Sequence, residues 1–167
     1  MAHVSPEVAL AITRQKARYA RYADTKQWDK FEKDIALPDA QYAYCDCDGK
    51  PLMVGKRALV FDSAKSIAAF YDKFFAPQQT MHNLGVGDFE QIAPDEVRSV
   101  FGVEDQVVSK SLGSLAEIRG GGYYYTTWKL VDGEWYIKEL RMERTYQKMT
   151  LLVSLVLTLA GWLGVSP

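Results

Sequence analysis

Apolar residues recur at helical spacing in three segments of the N-terminal half of the chain. Ser5-Pro6-Glu7 opens the first segment with a capping hydroxyl, a proline at the first helical position and an acid in the first turn. We predict one helix to about residue 23, a second over residues 25–36, and a third that opens at residue 62 or 63 and ends before Pro77. The predicted buried positions are Val8, Ile12, Tyr19, Tyr22, Trp28, Phe31, Ile35, Ile67, Phe70, Tyr71, Phe74 and Phe75.

From residue 80 the pattern changes to the alternation that is typical of β-strands. Strands 80–91 and 96–108 flank a turn at Pro94, and strands 123–131 and 134–146 form a hairpin at Asp132-Gly133. An earlier strand covers residues 40–46, while residues 109–122 with their glycines read as a long loop or a broken strand. Three helices followed by a long antiparallel sheet predict an α+β fold, with one domain over residues 5–146.

The C-terminal tail, residues 147–167, differs from the rest because residues 149–165 contain no charged side chain. This stretch is a little short for a membrane-spanning helix, which needs about 20 apolar residues. Thr150, Ser154 and Thr158 give it one mildly polar stripe. We predict an apolar helix that covers the pocket or lies in a subunit interface, with membrane contact through residues 149–165 as the alternative.

Composition narrows the class of ligand. Lys+Arg 20 against Asp+Glu 21 gives a net charge of -1 without a basic run, so nucleic acid is not an expected partner. Ten tyrosines favour a pocket wall for a hydrophobic, oxygenated small molecule, because tyrosine joins an apolar ring to a hydroxyl. No signal peptide is visible, and a cytoplasmic location is expected, with membrane association through the tail as the alternative.

No metal or other cofactor is predicted. Cys45 and Cys47 are a weak metal signal, because no further cysteine or histidine cluster accompanies them. Gly120-Gly121-Gly122 precedes a strand rather than a helix, so it does not match a phosphate-binding loop.

Asp24 and His82 are the first candidates for chemistry. Asp24 lies between the first two helices, where it could cap the second helix with Gln27 completing a capping box. His82 stands near the start of a strand and shares a face with Leu84 and Val86 by two-residue alternation. The structural alternative for His82 is a histidine with satisfied hydrogen bonds in the core.

Asp105 shares an otherwise apolar strand face with Phe101 and Val103. An ionised carboxylate on such a face needs a partner, because desolvation disfavours its charge. The alternative is that the strand breaks near Glu104 and that both acids face water.

Arg144 is a candidate on the last strand, where it shares the face of Leu140 and Met142. An arginine that enters the fold could bind a carboxylate or oxyanion of a substrate with its planar set of donors. The alternative is a solvated charge at the strand end, paired with Glu143 or Glu139.

Three motifs carry a family resemblance: Tyr22-Ala-Asp24-Thr-Lys-Gln-Trp28-Asp, Thr80-Met-His82, and Trp128-Lys-Leu-Val-Asp132-Gly133-Glu-Trp135. In this order they resemble the SnoaL-like family of the nuclear transport factor 2-like superfamily, which includes scytalone dehydratase and bile-acid 7α-dehydratase. The resemblance covers about residues 6–146. It implies a cone-shaped, curved, mostly antiparallel sheet packed on three N-terminal helices.

The resemblance also implies roles for residues. In these dehydratases an Asp at the helix joint orients a His that moves the proton, and the matching positions are Asp24 and His82. Family positions near the substrate fall on Tyr19, Tyr44 and Asp105. The second catalytic histidine of scytalone dehydratase falls near Val107 and is absent, so scytalone is not the expected substrate.

We therefore expect a cofactor-independent dehydratase, isomerase or cyclase of specialised metabolism that acts on a hydrophobic oxygenated small molecule, as a homo-oligomer. The alternative is a binding or docking module of the same fold without catalysis. Beyond the residues above, the predicted pocket wall contains Tyr42, Tyr44, Phe101, Val103, Tyr124, Leu140, Met142 and Arg144.

Overall fold

The computed structural model describes residues 4–163, with side chains up to Leu159. Over this range the elements follow in the order α1 Pro6–Asp24, α2 Trp28–Asp34, β1 Ala36–Cys45, β2 Met53–Val54, β3 Arg57–Ala58, β4 Val60–Phe61, α3 Ala64–Phe75, β5 Gln78–Ala93, β6 Glu96–Ser109, β7 Gly113–Val131, β8 Glu134–Met149 and α4 Leu151–Leu163.

The helices begin where side chains can satisfy their first amides. The hydroxyl of Ser5 accepts a hydrogen bond from the Val8 amide at 3.4 Å, and that of Ser63 starts α3 in the same way. α2 is shorter than predicted, because the chain already pairs with β8 at its end. There the amide of Ile137 donates to the carbonyl of Ile35 at 2.9 Å.

Six strands form one curved sheet in the order β4-β1-β8-β7-β6-β5. All neighbours are antiparallel except β1 and β8, which run parallel. The hairpin between β7 and β8 turns at Asp132 and Gly133, both with positive φ, as its Asp-Gly sequence predicts. The predicted α+β fold with a mostly antiparallel curved sheet is confirmed.

The core lies between the helices and the inner face of the sheet. Trp128 of β7, Ile137 of β8 and Phe31 of α2 are among its fully buried side chains. Trp28 stacks on Tyr71 of α3, with ring centroids 5.9 Å apart, so α2 and α3 share an aromatic contact above the sheet. This packing fills one end of the fold with large side chains.

The prediction of a loop over residues 109–122 is wrong, because β7 runs unbroken from Gly113 to Val131. Gly120, Gly121 and Gly122 lie where neighbouring groups occupy the place of a side chain. A Cβ on Gly122 would overlap the carbonyl of Glu143, and one on Gly120 would meet the guanidinium of Arg144. The glycines therefore permit close strand approach rather than interrupting the strand.

Two of the register shifts in the sheet change which residues face the core. In β5 the pairing shifts between Leu84 and Gly87, and Val86 is 96% exposed instead of sharing the inner face of His82. In β8 the pairing shifts beside Lys138, so Ile137 and Leu140 are both fully buried although their numbers differ in parity. Simple alternation therefore assigns the wrong face beyond each shift.

The tail forms a helix, α4, that packs against β7. Its start is fixed by Thr150, whose hydroxyl donates to the Leu115 carbonyl at 2.9 Å and whose amide donates to the Glu117 carbonyl at 3.0 Å. Among the described residues, no helix combines the length and apolar character needed to cross a bilayer.

Candidate active site

The joint between α1 and α2 places Asp24 against His82 at the start of β5. The Nδ1 atom of His82 lies 2.7 Å from Oδ1 of Asp24, and the His82 backbone amide donates to Oδ2 at 3.0 Å. Thr80 adds a third contact, because its hydroxyl donates to Oδ1 at 2.9 Å. The carboxylate is thus held at both oxygens by one short segment of β5.

These contacts replace the predicted helix cap. Asp24 is the last residue of α1, and Gln27 precedes α2 without a side-chain hydrogen bond to its amides. Burial by itself raises the pKa of Asp24, but the hydrogen bonds and charge of His82 and the hydroxyl of Thr80 outweigh it and hold the pKa below its ordinary value. The carboxylate is therefore ionised at neutral pH and acts as an acceptor.

A cavity of about 140 Å³ opens beside this pair. Its lining combines a few polar groups with a larger apolar surface that comes from the helices, the β2–β3 segment and the tail. The lining residues are Tyr19, Ala23, Trp28, Phe31, Tyr44, Leu52, Met53, Val54, Leu59, Tyr71, Phe74, Phe75, His82, Asp105, Val107, Ile118, Tyr124, Met142, Arg144, Gln147 and Leu157.

Buried tyrosines form one wall of the cavity. The hydroxyls of Tyr19 and Tyr44 lie 2.7 Å apart, and the ring of Tyr124 meets that of Tyr19 edge to face at 5.5 Å. Burial raises the pKa of Tyr19, Tyr44, Tyr71 and Tyr124 above the ordinary tyrosine value. All four hydroxyls therefore keep their protons and can donate hydrogen bonds.

An ion pair between Arg144 and Asp105 also lines the cavity. Arg144 donates from a terminal guanidinium nitrogen to Oδ2 of Asp105 at 2.5 Å, and both side chains are largely buried. This excludes the predicted alternatives of a solvated Arg144 and of a strand break that leaves Asp105 in water. Among the described residues, Oδ1 of Asp105 and Nε of Arg144 have no hydrogen-bond partner. The pair thus keeps unused acceptor and donor capacity beside the cavity.

Strand register explains which predicted residues reach the cavity. His82 is paired with Asp105, and Met142 is paired with Tyr124 on one side and Tyr44 on the other. The seven predicted residues that line it are Tyr19, Tyr44, His82, Asp105, Tyr124, Met142 and Arg144.

Four predicted wall residues do not line the cavity. Tyr42 and Leu140 are paired one row deeper than Tyr44 and Met142, where the core is filled. Phe101 packs edge to face on Phe89 at 5.6 Å, and Val103 is likewise buried outside the lining. Alternation identifies the inner face correctly at these positions, but it carries no information about depth along the strand.

Several lining residues were not predicted. Tyr71, Phe74 and Phe75 belong to the apolar face of α3, and Gln147 and Leu157 come from the end of β8 and from α4. The helical pattern indicates burial of the α3 residues, but not that a cavity lies beside them. Nothing in the sequence around Gln147 indicates that its side chain lines the cavity. Among the residues described, no group of His, Cys, Asp and Glu side chains is arranged to hold a metal ion.

Comparisons with known proteins agree with this fold. The model of the SnoaL-like domain matches residues 7–141. Probable cyclase FGR4 of Gibberella zeae is 40% identical over 146 residues, which cover 87% of this chain and 97% of that protein. The chain belongs to the SnoaL-like family.

Two solved structures share the fold at low sequence identity. A scytalone dehydratase-like protein from Novosphingobium aromaticivorans is 14% identical with a TM-score of 0.68, covering 83% of this chain and 84% of that one. The hexachlorocyclohexane dehydrochlorinase LinA-type3 of Novosphingobium barchaimii is 14% identical with a TM-score of 0.69, covering 87% of this chain and 91% of that one. Family membership and the cyclase relative together support an enzyme of the lyase or isomerase class.

Proposed function

We propose that this member of the SnoaL-like family is a cofactor-independent acid–base enzyme that eliminates water from, isomerises or cyclises a hydrophobic carbonyl compound, with His82 as the proton-transfer residue. The observation that carries the proposal is the hydrogen bond between Asp24 and His82 at the edge of a largely apolar cavity. Histidine is the side chain most often used for proton transfer in general acid–base catalysis.

The hydrogen bond supports Nε2 of His82 as the ring nitrogen that meets the substrate. An ionised Asp24 accepts hydrogen bonds only, so the proton of a neutral His82 ring lies on Nδ1. Nε2 is then the basic nitrogen left for a ligand. Asp24 also stabilises the imidazolium that forms when Nε2 takes a proton.

The proposed reaction begins with removal of a proton α to the substrate carbonyl by Nε2 of His82. The C–H electron pair forms an enolate. In elimination, the enolate re-forms the carbonyl while the β-hydroxyl leaves, and the proton on Nε2 joins that hydroxyl to give water. In isomerisation the same proton returns to another carbon. In cyclisation, the α-carbon of the enolate attacks a second carbonyl carbon of the same molecule. The new C–C bond forms as the π pair of that carbonyl moves to its oxygen, and the proton on Nε2 then neutralises the alkoxide.

The walls of the cavity supply charge stabilisation in this proposal. In the Tyr19–Tyr44 pair one hydroxyl donates to the other, and the accepting hydroxyl keeps its own hydrogen to donate to the enolate oxygen as its charge develops. Arg144 offers a fixed positive charge, and Asp105 keeps its side chain in place through their ion pair. Asp105 can also accept a hydrogen bond from a substrate hydroxyl through its unpartnered oxygen.

Cavity shape and lining favour a compact cyclic substrate. A volume of about 140 Å³ suits roughly one ring in the enclosed part. Phe74, Phe75 and Leu157 contribute apolar surface, which favours a hydrocarbon skeleton with few oxygens.

Deuterium exchange tests the shared first step without knowledge of the natural substrate. Purified protein is incubated with cyclohexanone or α-tetralone in D₂O, and incorporation at the α-carbon is followed by mass spectrometry. The β-hydroxy derivatives test elimination, because loss of water converts 3-hydroxycyclohexanone into 2-cyclohexenone and 3-hydroxy-1-tetralone into 1-naphthol. We expect His82→Ala to lower both rates by about 10²–10⁴-fold, the usual contribution of general acid–base catalysis.

Asn83→Ala is the matched control, because Asn83 neighbours His82 on the opposite, exposed face of β5. Melting temperatures of both variants should stay close to that of the wild type, since neither change opens a core cavity. Equal exchange rates for His82→Ala and the wild type would refute the proton-transfer role. Binding of the ketones without exchange or elimination would support the alternative of a non-catalytic binding module.

A further inference from the structure

A series of hydrogen bonds links Lys26 to the candidate dyad of Asp24 and His82. Lys26 lies in the turn between α1 and α2, and its Nζ donates to the hydroxyl of Thr80 at 2.7 Å. That hydroxyl donates to Oδ1 of Asp24 at 2.9 Å, and the same oxygen contacts Nδ1 of His82 at 2.7 Å. The Thr80 hydroxyl and the Asp24 carboxylate therefore connect Lys26 to the His82 ring.

The direction of the Thr80 hydrogen bond depends on Lys26. A hydroxyl has one hydrogen and two acceptor lone pairs, whereas an ammonium group only donates. While Lys26 is an ammonium, it occupies a lone pair of Thr80 and leaves the hydroxyl hydrogen for Asp24. We propose that Lys26 is a positioning residue that acts through Thr80 to set the hydrogen bonding of Asp24 to His82. This inference rests on the proposed function.

The backbone at Lys26 supports a role for its side chain. Its φ of 59° lies in the left-handed region, where glycine is the residue with least strain. Its Nζ also donates to the Ala23 carbonyl at 3.2 Å, at the end of α1. That second contact is a structural role, so a test must separate stability from an effect on the dyad.

Protonation of Lys26 makes the relay sensitive to pH. Burial, together with the charge of Lys110, lowers the pKa of Lys26 to about 8, although the charge of Asp24 opposes the shift. Above this pH the neutral amine can accept the Thr80 hydrogen, and Oδ1 of Asp24 then keeps only its contact with the His82 ring. The charged and titratable groups facing Lys26 or sharing its groove are Asp24, Asp29, Lys30, Glu32, Lys65, Asp72, His82 and Lys110.

The direct test follows the ¹⁵N resonances of the His82 ring between pH 6 and 10 in the full-length protein. We expect the wild-type Nδ1 resonance to show an inflection near pH 8, where Lys26 titrates. Lys26→Met removes the titrating group, Thr80→Val breaks the relay, and Lys26→Arg keeps a donor that stays charged. All three should lack the inflection. Lys30→Met is the control, because Lys30 is exposed, contacts Gln27 and should retain it.

Exchange of the α-hydrogens of α-tetralone gives the functional readout. We expect Lys26→Met and Thr80→Val each to lower the rate roughly three- to tenfold, as for loss of one charge-assisted hydrogen bond. The double variant should fall no further, because both changes interrupt one relay. Lys26→Arg should recover most of the rate.

Two results separate this inference from the proposed function. An inflection that persists in Lys26→Met, or its absence from the wild type, would overturn the role of Lys26 whatever the catalytic activity. Equal exchange by His82→Ala and the wild type would instead overturn the proposed function. A rate loss in Lys26→Met that tracks its melting temperature, with the inflection kept, would leave Lys26 a structural role through its contacts with the Ala23 carbonyl and the Phe75 ring.

Discussion

Lys16 offers a sharp test of the packing behind the tyrosine wall. It is 0% exposed, and among the described residues its Nζ has no hydrogen-bond partner. Its contacts are the faces of two aromatic rings, with Nζ 3.7 Å from the Tyr124 centroid and 4.3 Å from that of Tyr19. Replacement by methionine keeps an unbranched apolar side chain in the site and removes the amine.

The size of the effect follows from opposing contributions. A buried polar group without a partner costs about 1–3 kcal/mol. Cation–π contacts with Tyr19 and Tyr124 stabilise the folded chain by up to about 2 kcal/mol each, but only while the amine is charged. Desolvation lowers the pKa of Lys16 well below its ordinary value. Burial therefore favours the neutral amine and weakens the cation–π stabilisation. We expect Lys16→Met to raise the free energy of unfolding by about 1–3 kcal/mol at pH 7.

The pH dependence has a definite sign. Because the pKa of Lys16 is lower in the folded chain than in the unfolded chain, the unfolded chain binds more protons between the two values. Wild-type stability therefore rises with pH toward the ordinary lysine pKa of about 10.4, relative to the methionine variant. The advantage of Lys16→Met should narrow by up to about 1.4 kcal/mol per pH unit above the folded-state value.

Urea unfolding at pH 7 and pH 9 measures both quantities. Lys33→Met, at an exposed position on α2, is the control and should change stability by less than about 0.5 kcal/mol. A Lys16→Met protein that is less stable than the wild type at pH 7 would show that the cation–π contacts dominate. An advantage that is equal at both pH values would refute the proton-linkage argument.

Two further predictions concern β7 and the tail. Gly122→Ala should lower the free energy of unfolding by about 3 kcal/mol or more, because its Cβ would meet the backbone of β8. Gly120→Ala should mainly displace the Arg144 side chain. It should therefore lower the exchange rate of α-tetralone about tenfold with little loss of stability. Equal stability losses in the two variants would contradict this difference. Truncation after Thr150 should leave a folded protein with a KM for the probe raised about three- to tenfold, because Leu157 no longer lines the cavity. An unchanged KM would exclude a covering role for α4, and release of the protein from a membrane fraction would favour the anchor instead.

Elements defined by local chemistry were predictable from sequence. The capping hydroxyls of Ser5 and Ser63 and the Asp132-Gly133 turn specify their boundaries through neighbouring atoms alone. The pairing of Asp24 with His82 came from the family resemblance, because spacing alone favoured a helix cap. The side chain of Asp24 instead satisfies donors from β5, which are distant in sequence.

Register and depth were not predictable. The shift beside Lys138 exchanges the faces of β8, so that Trp135 and Ile137 are buried before it, and Leu140 and Met142 after it. Counting every second residue from Tyr136 therefore identifies the buried face only beyond the shift. Tyr42 and Tyr44 have the same residue type, strand and face, yet only Tyr44 reaches the cavity. The difference depends on how far the neighbouring helices fill the fold, which is a property of the whole packing rather than of the local sequence.

The glycines of β7 connect the error in the fold prediction with the geometry of the candidate site. Gly120 pairs with Asp105, and Gly122 pairs with Arg144, both on the inner face of the sheet. Because neither glycine projects a side chain, the guanidinium of Arg144 can lie over β7 and reach Asp105 on β6, across the intervening strand. A glycine run that resembles a loop in sequence thus provides the space in which a buried ion pair forms beside His82.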